Sequence, residues 1–173
     1  FYRLCKEKHV DNRLIRPHFT FFGFRYVKVE GAKIDKKTLD NFVGVSVRSD
    51  MAQTGRIETS NEKLNKFIEN AFNSQKDNFL DIPMDCPQRD ERFGWTGDAQ
   101  VFSETALFNA DCAAFYSKYL ENMRQEQLRY GGSCPFVVPD CFYAREELYD
   151  GAKPVDDNDF MLDRTSAGWG DAA

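Results

Sequence analysis

The chain has 173 residues and a formal net charge of −5, with 42% hydrophobic and 29% charged residues. This length fits one domain or part of a larger protein, and the composition is typical of a folded chain rather than a disordered one. The acidic balance and the lack of a basic run argue against binding to nucleic acid. No stretch approaches the roughly 20 apolar residues that a membrane span requires.

The cysteines do not form a recognisable metal-binding pattern. There are five, at irregular spacing and without a Cys-x-x-Cys pair: Cys5, Cys86, Cys112, Cys134 and Cys141. Cys5 and His9 stand four residues apart, but two ligands do not complete a zinc site. The sequence therefore predicts free thiols, no bound metal and no cofactor.

The first third of the chain is rich in β-forming residues. Residues 19–30 contain many aromatic and β-branched side chains and are followed by Gly31, and valine alternates with other residues over 43–48. This pattern predicts strands at 20–30 and 43–48, with a short turn or helix over 34–41. Because two or three strands cannot close a sandwich, we expect residues 1–56 to be the end of a β-sandwich domain and its linker, with the missing strands upstream.

The hydrophobic period changes from two to 3.6 near residue 57. Apolar residues at helical spacing predict helices over 61–78, 98–109 and 112–128. The first helix is predicted to be capped by Thr59 or Ser60 and the third by Asp111. Prolines at 83 and 87 predict an ordered loop over 81–97. We therefore assign residues 57–173 to a second, helical domain.

The loop between the first two predicted helices is the most polar part of the chain. Residues 85–98 contain four acids, two arginines and one tryptophan. Hydrolysis of a glycosidic bond needs a carboxylic acid that protonates the leaving oxygen and a second carboxylate that activates water or attacks. Tryptophan can stack on a sugar ring, and Asp and Arg can bind its hydroxyls. Composition alone fits a salt-bridged loop that caps a helix bundle equally well.

The order of the residues favours the sugar site. The run DCPQRDERFGWTGDAQ at 85–100 resembles the signature of the α-L-rhamnosidases of glycoside hydrolase family 78. Further elements of that family have counterparts in the same order, namely FGFRYV at 22–27, the linker pairs SD at 49–50, TG at 54–55 and SN at 60–61, VVP at 137–139 and SAGWGDA at 166–172. The resemblance covers about residues 20–173.

This resemblance implies the fold and the site. The fold it implies is mainly α, a partial (α/α)6 barrel preceded by the last strands of a β-sandwich. The activity it implies is hydrolysis of terminal α-L-rhamnosides with inversion, on a rhamnose-containing glycoside or polysaccharide. Glu91 resembles the general acid, with the adjacent Asp90 as the alternative. Residues that resemble sugar-binding groups are Asp85, Arg89, Trp95, Asp98 and Trp169.

The family's general base is a glutamate far downstream, so we expect the chain to be a fragment that lacks the base and is nearly inactive alone. Two other hypotheses stay open, a non-catalytic carbohydrate-binding protein and an inverting (α/α)6 glycosidase for another sugar. A proton donor such as Glu91 favours an enzyme, because binding alone needs none. The sequence is compatible with a cytoplasmic or a periplasmic or secreted location and does not specify the oligomeric state.

Overall fold

A computed structural model of the chain describes residue 16 and residues 18–31 and 34–141. In chain order these residues form a short 3-10 helix Leu39–Asn41, helix α1 Glu62–Asn78, strands β1 Phe79–Leu80 and β2 Ile82–Pro83, helix α2 Thr96–Asn109 and helix α3 Ala113–Arg129. The three predicted helices are confirmed, as are the mainly helical fold class and the short helix expected within 34–41. In the described part of the chain, no helix is both long and apolar enough to cross a membrane.

The cap of the first helix lies one residue after Ser60, the later of its two predicted positions. Asn61 is the N-cap, and its side-chain oxygen accepts hydrogen bonds from the backbone N–H groups of Lys63 and Leu64. The prediction of Thr59 or Ser60 is wrong because the Thr59 hydroxyl donates to the side chain of Asn65 instead (2.9 Å). Asp111 does accept a bond from the N–H of Ala113 (3.4 Å), although the cap position of α3 is Cys112.

The two strands predicted at 20–30 and 43–48 do not form. Within the described ranges the paired strands are β1 and β2, which make an antiparallel two-residue hairpin. Tyr26 and Val43 are 90% and 77% exposed. A strand is stabilised by hydrogen bonds to a neighbouring strand and by packing of one face, and these segments have neither here. A β-forming composition was therefore not sufficient to make strands in this structure.

The core consists of two apolar clusters that meet at Tyr116. In the first, the ring of Phe79 stacks on Phe115 with 4.6 Å between centroids and 7° between planes. The second lies under the polar loop and contains Tyr119, Met123 and Val138. Burying a side chain of this size contributes about 1.5–3 kcal/mol, so both clusters fix the hairpin and loop against α2 and α3.

The linker before α1 is docked on the end of α2. The N–H of Thr54 donates to Asn109 O (3.0 Å), and the N–H of Asp111 donates to Ala52 O (2.8 Å). At Gly55 the linker and the end of α2 come so close that an added Cβ would lie 2.1 Å from Phe108 O. Glycine at 55 therefore permits this contact, and the linker holds the turn between α2 and α3.

Candidate active site

The start of α2 is fixed by a segment forty residues later. Thr96 is fully buried. Its N–H donates to Phe136 O (2.9 Å), and its hydroxyl lies 3.2 Å from Pro135 O and 3.1 Å from Phe136 O. A threonine at the first position of a helix is thus used to attach that helix to the 135–138 segment. The residues just before α2, which carry the polar motif, are placed by the same attachment.

Gly94 joins the motif to the same segment and to α3. Its carbonyl accepts from the N–H of Val138 (2.9 Å) and from the hydroxyl of Tyr119 (2.9 Å). Trp95 forms an isolated antiparallel bridge with Val137. Val137 and Val138 are almost completely buried. The VVP element identified in the sequence therefore packs against the motif and holds its backbone at Gly94 and Trp95.

Asp85 is held by the backbone on the far side of the loop. The N–H of Phe93 donates to Asp85 Oδ1 (3.0 Å), and the N–H of Asp85 donates to Phe93 O (3.1 Å). Between Phe93 and Glu91 the chain turns at Arg92, which has a φ of +63°. This left-handed conformation costs a side chain about 1–2 kcal/mol, so surrounding contacts must hold it. The side chains of Asp85 and Glu91 are thereby directed toward each other.

Asp85 and Glu91 share a hydrogen bond that sets their pKa values apart. The bond with Asp85 raises the pKa of Glu91, and desolvation and the negative charge of Asp85 raise it further. Burial raises the pKa of Asp85, but hydrogen bonds from Glu91 and from the backbone of Cys86 and Phe93 outweigh it, so this pKa is lowered. Of the two carboxyl groups, Glu91 therefore holds a proton more readily than Asp85, and this is the direction that a general acid requires.

Arg89 and Trp95 also bond to Glu91, whose side chain is only 24% exposed. The Arg89 guanidinium forms a close ion pair with it. The hydrogen bond between Arg89 and Cys86 raises the pKa of Arg89, and the negative charge of Glu91 raises it further. Trp95 hydrogen-bonds Glu91 through its side chain, which opposes the rise in the pKa of Glu91 without cancelling it. The ring of Trp95 contacts Phe93 edge to face, with 6.4 Å between centroids.

Asp98 lies in the first turn of α2 and is exposed. Desolvation raises the pKa of Asp98, and the negative charge of Asp85 raises it further. The two carboxylates are therefore close enough to repel each other. Four of the predicted site residues are thus in direct contact, namely Asp85, Arg89, Glu91 and Trp95. Asp98 is near enough for the charge of Asp85 to raise its pKa. Asp90 is exposed beside them. Trp169, the sixth predicted site residue, lies outside the described residues.

One group of atoms in this cluster has the spacing of metal ligands. Asp85, Cys86 and Glu91 each offer one atom, and these atoms lie within 4.8 Å of one another. In this structure the Glu91 carboxyl group already has two partners, since it forms an ion pair with Arg89 and a hydrogen bond with Asp85. The arrangement therefore fits proton transfer, and the absence of a metal stays a prediction from the sequence.

Sequence reasoning missed Arg92. Its Nη2 donates to Phe21 O (3.1 Å), its Nε donates to Pro87 O (3.3 Å), and its guanidinium carbon lies 4.5 Å from the centroid of the Phe21 ring. No local pattern predicts a bond across 71 residues. The nearest signal was an arginine directly after the candidate acid.

A carboxyl group with a raised pKa, beside a second carboxylate, an arginine and a tryptophan, is suited to protonate the leaving oxygen of a glycoside. Comparison with known families agrees. Residues 52–157 match the family described as the bacterial alpha-L-rhamnosidase 6 hairpin glycosidase domain, and residues 6–48 match that described as the bacterial alpha-L-rhamnosidase concanavalin-like domain. The chain belongs to the bacterial α-L-rhamnosidase family.

Individual relatives carry the same name. An alpha-L-rhamnosidase of Formosa agariphila is 44% identical over 172 residues, which is 99% of this chain and 16% of that protein. One of Alteromonas sp. (strain LOR) is 40% identical over 158 residues, 91% of this chain and 15% of that protein. The crystal structure of native alpha-L-rhamnosidase from Aspergillus terreus matches with a TM-score of 0.57 and 40% identity, over 72% of this chain and 12% of that one. The chain spans about one sixth of the length of these curated relatives.

Proposed function

We propose that the complete gene product hydrolyses terminal α-L-rhamnosides with inversion of configuration, and that this chain supplies the acid side of its active site. The observation that carries the proposal is the hydrogen-bonded pair of Asp85 and Glu91, whose pKa values are shifted in opposite directions. A raised pKa keeps a larger fraction of Glu91 protonated at a given pH than of an ordinary glutamate, and a general acid needs that proton.

In this mechanism Glu91 donates its proton to the glycosidic oxygen as the bond to the anomeric carbon breaks. A water molecule attacks that carbon from the opposite face, and a second carboxylate removes its proton. We infer that this second carboxylate comes from a part of the gene product beyond this chain, since the relatives are about six times longer. The negative Glu91 left after donation is stabilised by Arg89, which already forms an ion pair with it.

The sugar would bind over the same cluster. Asp98 is exposed next to Asp85 and can accept hydrogen bonds from sugar hydroxyls. Arg89 is 62% exposed and can donate to them. Trp95 is half-buried and offers an apolar surface beside the acid. The names of the relatives from Formosa and Alteromonas support rhamnose as the sugar.

The test is hydrolysis of α-L-rhamnosides by the complete gene product, with the configuration of the first-formed sugar followed by proton NMR. We expect β-L-rhamnose first, and no hydrolysis of matched substrates with other terminal sugars. Glu91→Gln should abolish most of this activity, whereas Glu104→Gln, on an exposed glutamate of α2, should retain it. Binding of rhamnosides without hydrolysis by the unaltered protein would favour the carbohydrate-binding hypothesis, and α-L-rhamnose as first product would exclude inversion.

A further inference from the structure

The backbone next to Glu91 adopts a conformation that an arginine rarely takes. Arg92 has a φ of +63°, in the left-handed region that favours glycine. Such residues persist only where surrounding contacts determine them, and they cluster at functional sites. Arg92 follows Glu91 directly and precedes Phe93, whose backbone holds Asp85 through two hydrogen bonds. The turn at Arg92 therefore sets how the two members of the carboxylate pair face each other.

The contacts that hold this turn come from the side chain of Arg92. Its Nε donates to Pro87 O (3.3 Å), at the start of the same loop. Its Nη2 donates to Phe21 O (3.1 Å), and its guanidinium carbon lies 4.5 Å from the centroid of the Phe21 ring. These partners are backbone carbonyls and a ring, not the carboxylate pair. Arg92 therefore acts on Glu91 through the shape of the loop.

A second close approach joins the same two segments. A Cβ added at Gly23 would lie 2.4 Å from the Cβ of Gln88. The backbone of residues 21–23 thus lies directly against the loop that carries Arg89 and Glu91. This segment is far from the loop in sequence and belongs to the part of the chain that matches the concanavalin-like domain. It supports the loop at two points, Arg92 and Gln88.

We propose that Arg92 is a positioning residue for the general acid, and that it works by fastening the acid loop to the Phe21–Gly23 segment. This inference rests on the proposed function, because it assigns Arg92 a role only if Glu91 donates a proton. When the guanidinium is removed, the left-handed turn loses its two carbonyl partners and its aromatic contact. Glu91 then leaves the position at which it bonds to Asp85 and Trp95.

The test measures kcat/KM of the complete gene product on two substrates, an alkyl α-L-rhamnoside and an aryl α-L-rhamnoside with a good leaving group. The alkyl substrate needs a proton from the acid, whereas the aryl substrate leaves as a stable phenolate. A misplaced acid should therefore cost Arg92→Ala about 10- to 100-fold more on the alkyl substrate. Arg92→Gly, which accepts the backbone conformation but lacks the guanidinium, should show the same preference, and Arg92→Lys should recover part of the loss.

The matched control is Arg124→Ala, since Arg124 is an exposed arginine on α3, and it should behave like the unaltered protein. If Arg92→Ala does not fold, Phe21→Leu removes the aromatic contact and should show the same leaving-group dependence in milder form. Equal losses on both substrates would reduce Arg92 to a stabilising role and overturn the proposal. If Glu91→Gln shows the dependence and the Arg92 variants do not, only this inference fails. If Glu91→Gln lacks it too, the proposed function fails as well.

Discussion

Gly94→Ala should open the contact between the motif and the 135–138 segment. A methyl group at this position would lie 2.4 Å from Val138 O, well inside the 3.0 Å below which real Cβ atoms essentially never occur. The backbone has to move, because Val138 O is not a flexible side-chain end. That movement weakens the two bonds accepted by Gly94 O, from Val138 N–H and Tyr119 hydroxyl. Each bond contributes about 0.5–1.5 kcal/mol and overpacking costs about 1–3 kcal/mol. If both bonds lose about half of their energy, we expect a local destabilisation of about 2–4 kcal/mol.

The assay is hydrogen exchange in the complete gene product, followed for peptides that contain the N–H groups of Thr96 and Val138. With about 1.4 kcal/mol for each factor of ten, these amides should exchange roughly 30- to 1,000-fold faster, and activity should fall because Trp95 is displaced. Gly44→Ala is the matched control, since nothing lies within 4 Å of a Cβ added there. Unchanged exchange at both amides in Gly94→Ala would refute the attachment described here.

Two further predictions concern pH dependence and exposed surface. Activity that needs protonated Glu91 falls as pH rises through the pKa of Glu91. Asp85→Asn removes the carboxylate whose charge raises this pKa. This variant should therefore move the alkaline limb of the kcat/KM profile to lower pH. Arg89→Gln removes a positive charge that lowers the pKa of Glu91, so it should move the alkaline limb to higher pH. Shifts of the limb in the same direction in both variants would contradict the effect of these two charges on Glu91. Val101 on α2 and Leu128 on α3 are 84% and 61% exposed. The 173-residue chain alone should therefore bind an apolar dye and unfold without a sharp transition. A monomer that unfolds in one cooperative transition would contradict this prediction.

The helices were predictable because their signal is local. Apolar residues recur at the 3.6 period in α1 and α3, and the predicted bounds of all three helices lie within two residues of those observed. The strands at 20–30 and 43–48 were not predictable in the same way, because a strand depends on partners that its own residues do not encode. The cap of α1 failed for a related reason. Thr59 and Asn61 both fit the composition of a cap, and the bond from Thr59 to Asn65 decided between them.

In the candidate site, too, local contacts could be predicted from the sequence and long-range contacts could not. The contacts among Asp85, Arg89, Glu91 and Trp95 lie within one loop of eleven residues, so a motif with fixed spacing was enough to predict that they meet. The supports of that loop are distant in sequence. Neither the attachment of Thr96 to Phe136 nor that of Arg92 to a segment 71 residues away leaves a periodic or compositional signal. The proton distribution between the carboxylates also needed coordinates, because it depends on hydrogen bonds and burial.

The most direct test of the central claim compares two neighbouring carboxylates in the complete gene product. Glu91→Gln and Asp90→Asn each remove one acid from the same loop, and kcat/KM is measured on an alkyl and on an activated aryl α-L-rhamnoside. If Glu91 is the general acid, Glu91→Gln should lose about 10²–10⁴ on the alkyl substrate and much less on the aryl substrate, while Asp90→Asn stays close to the unaltered protein. A leaving-group-dependent loss in Asp90→Asn instead, or in neither variant, would contradict the assignment of Glu91.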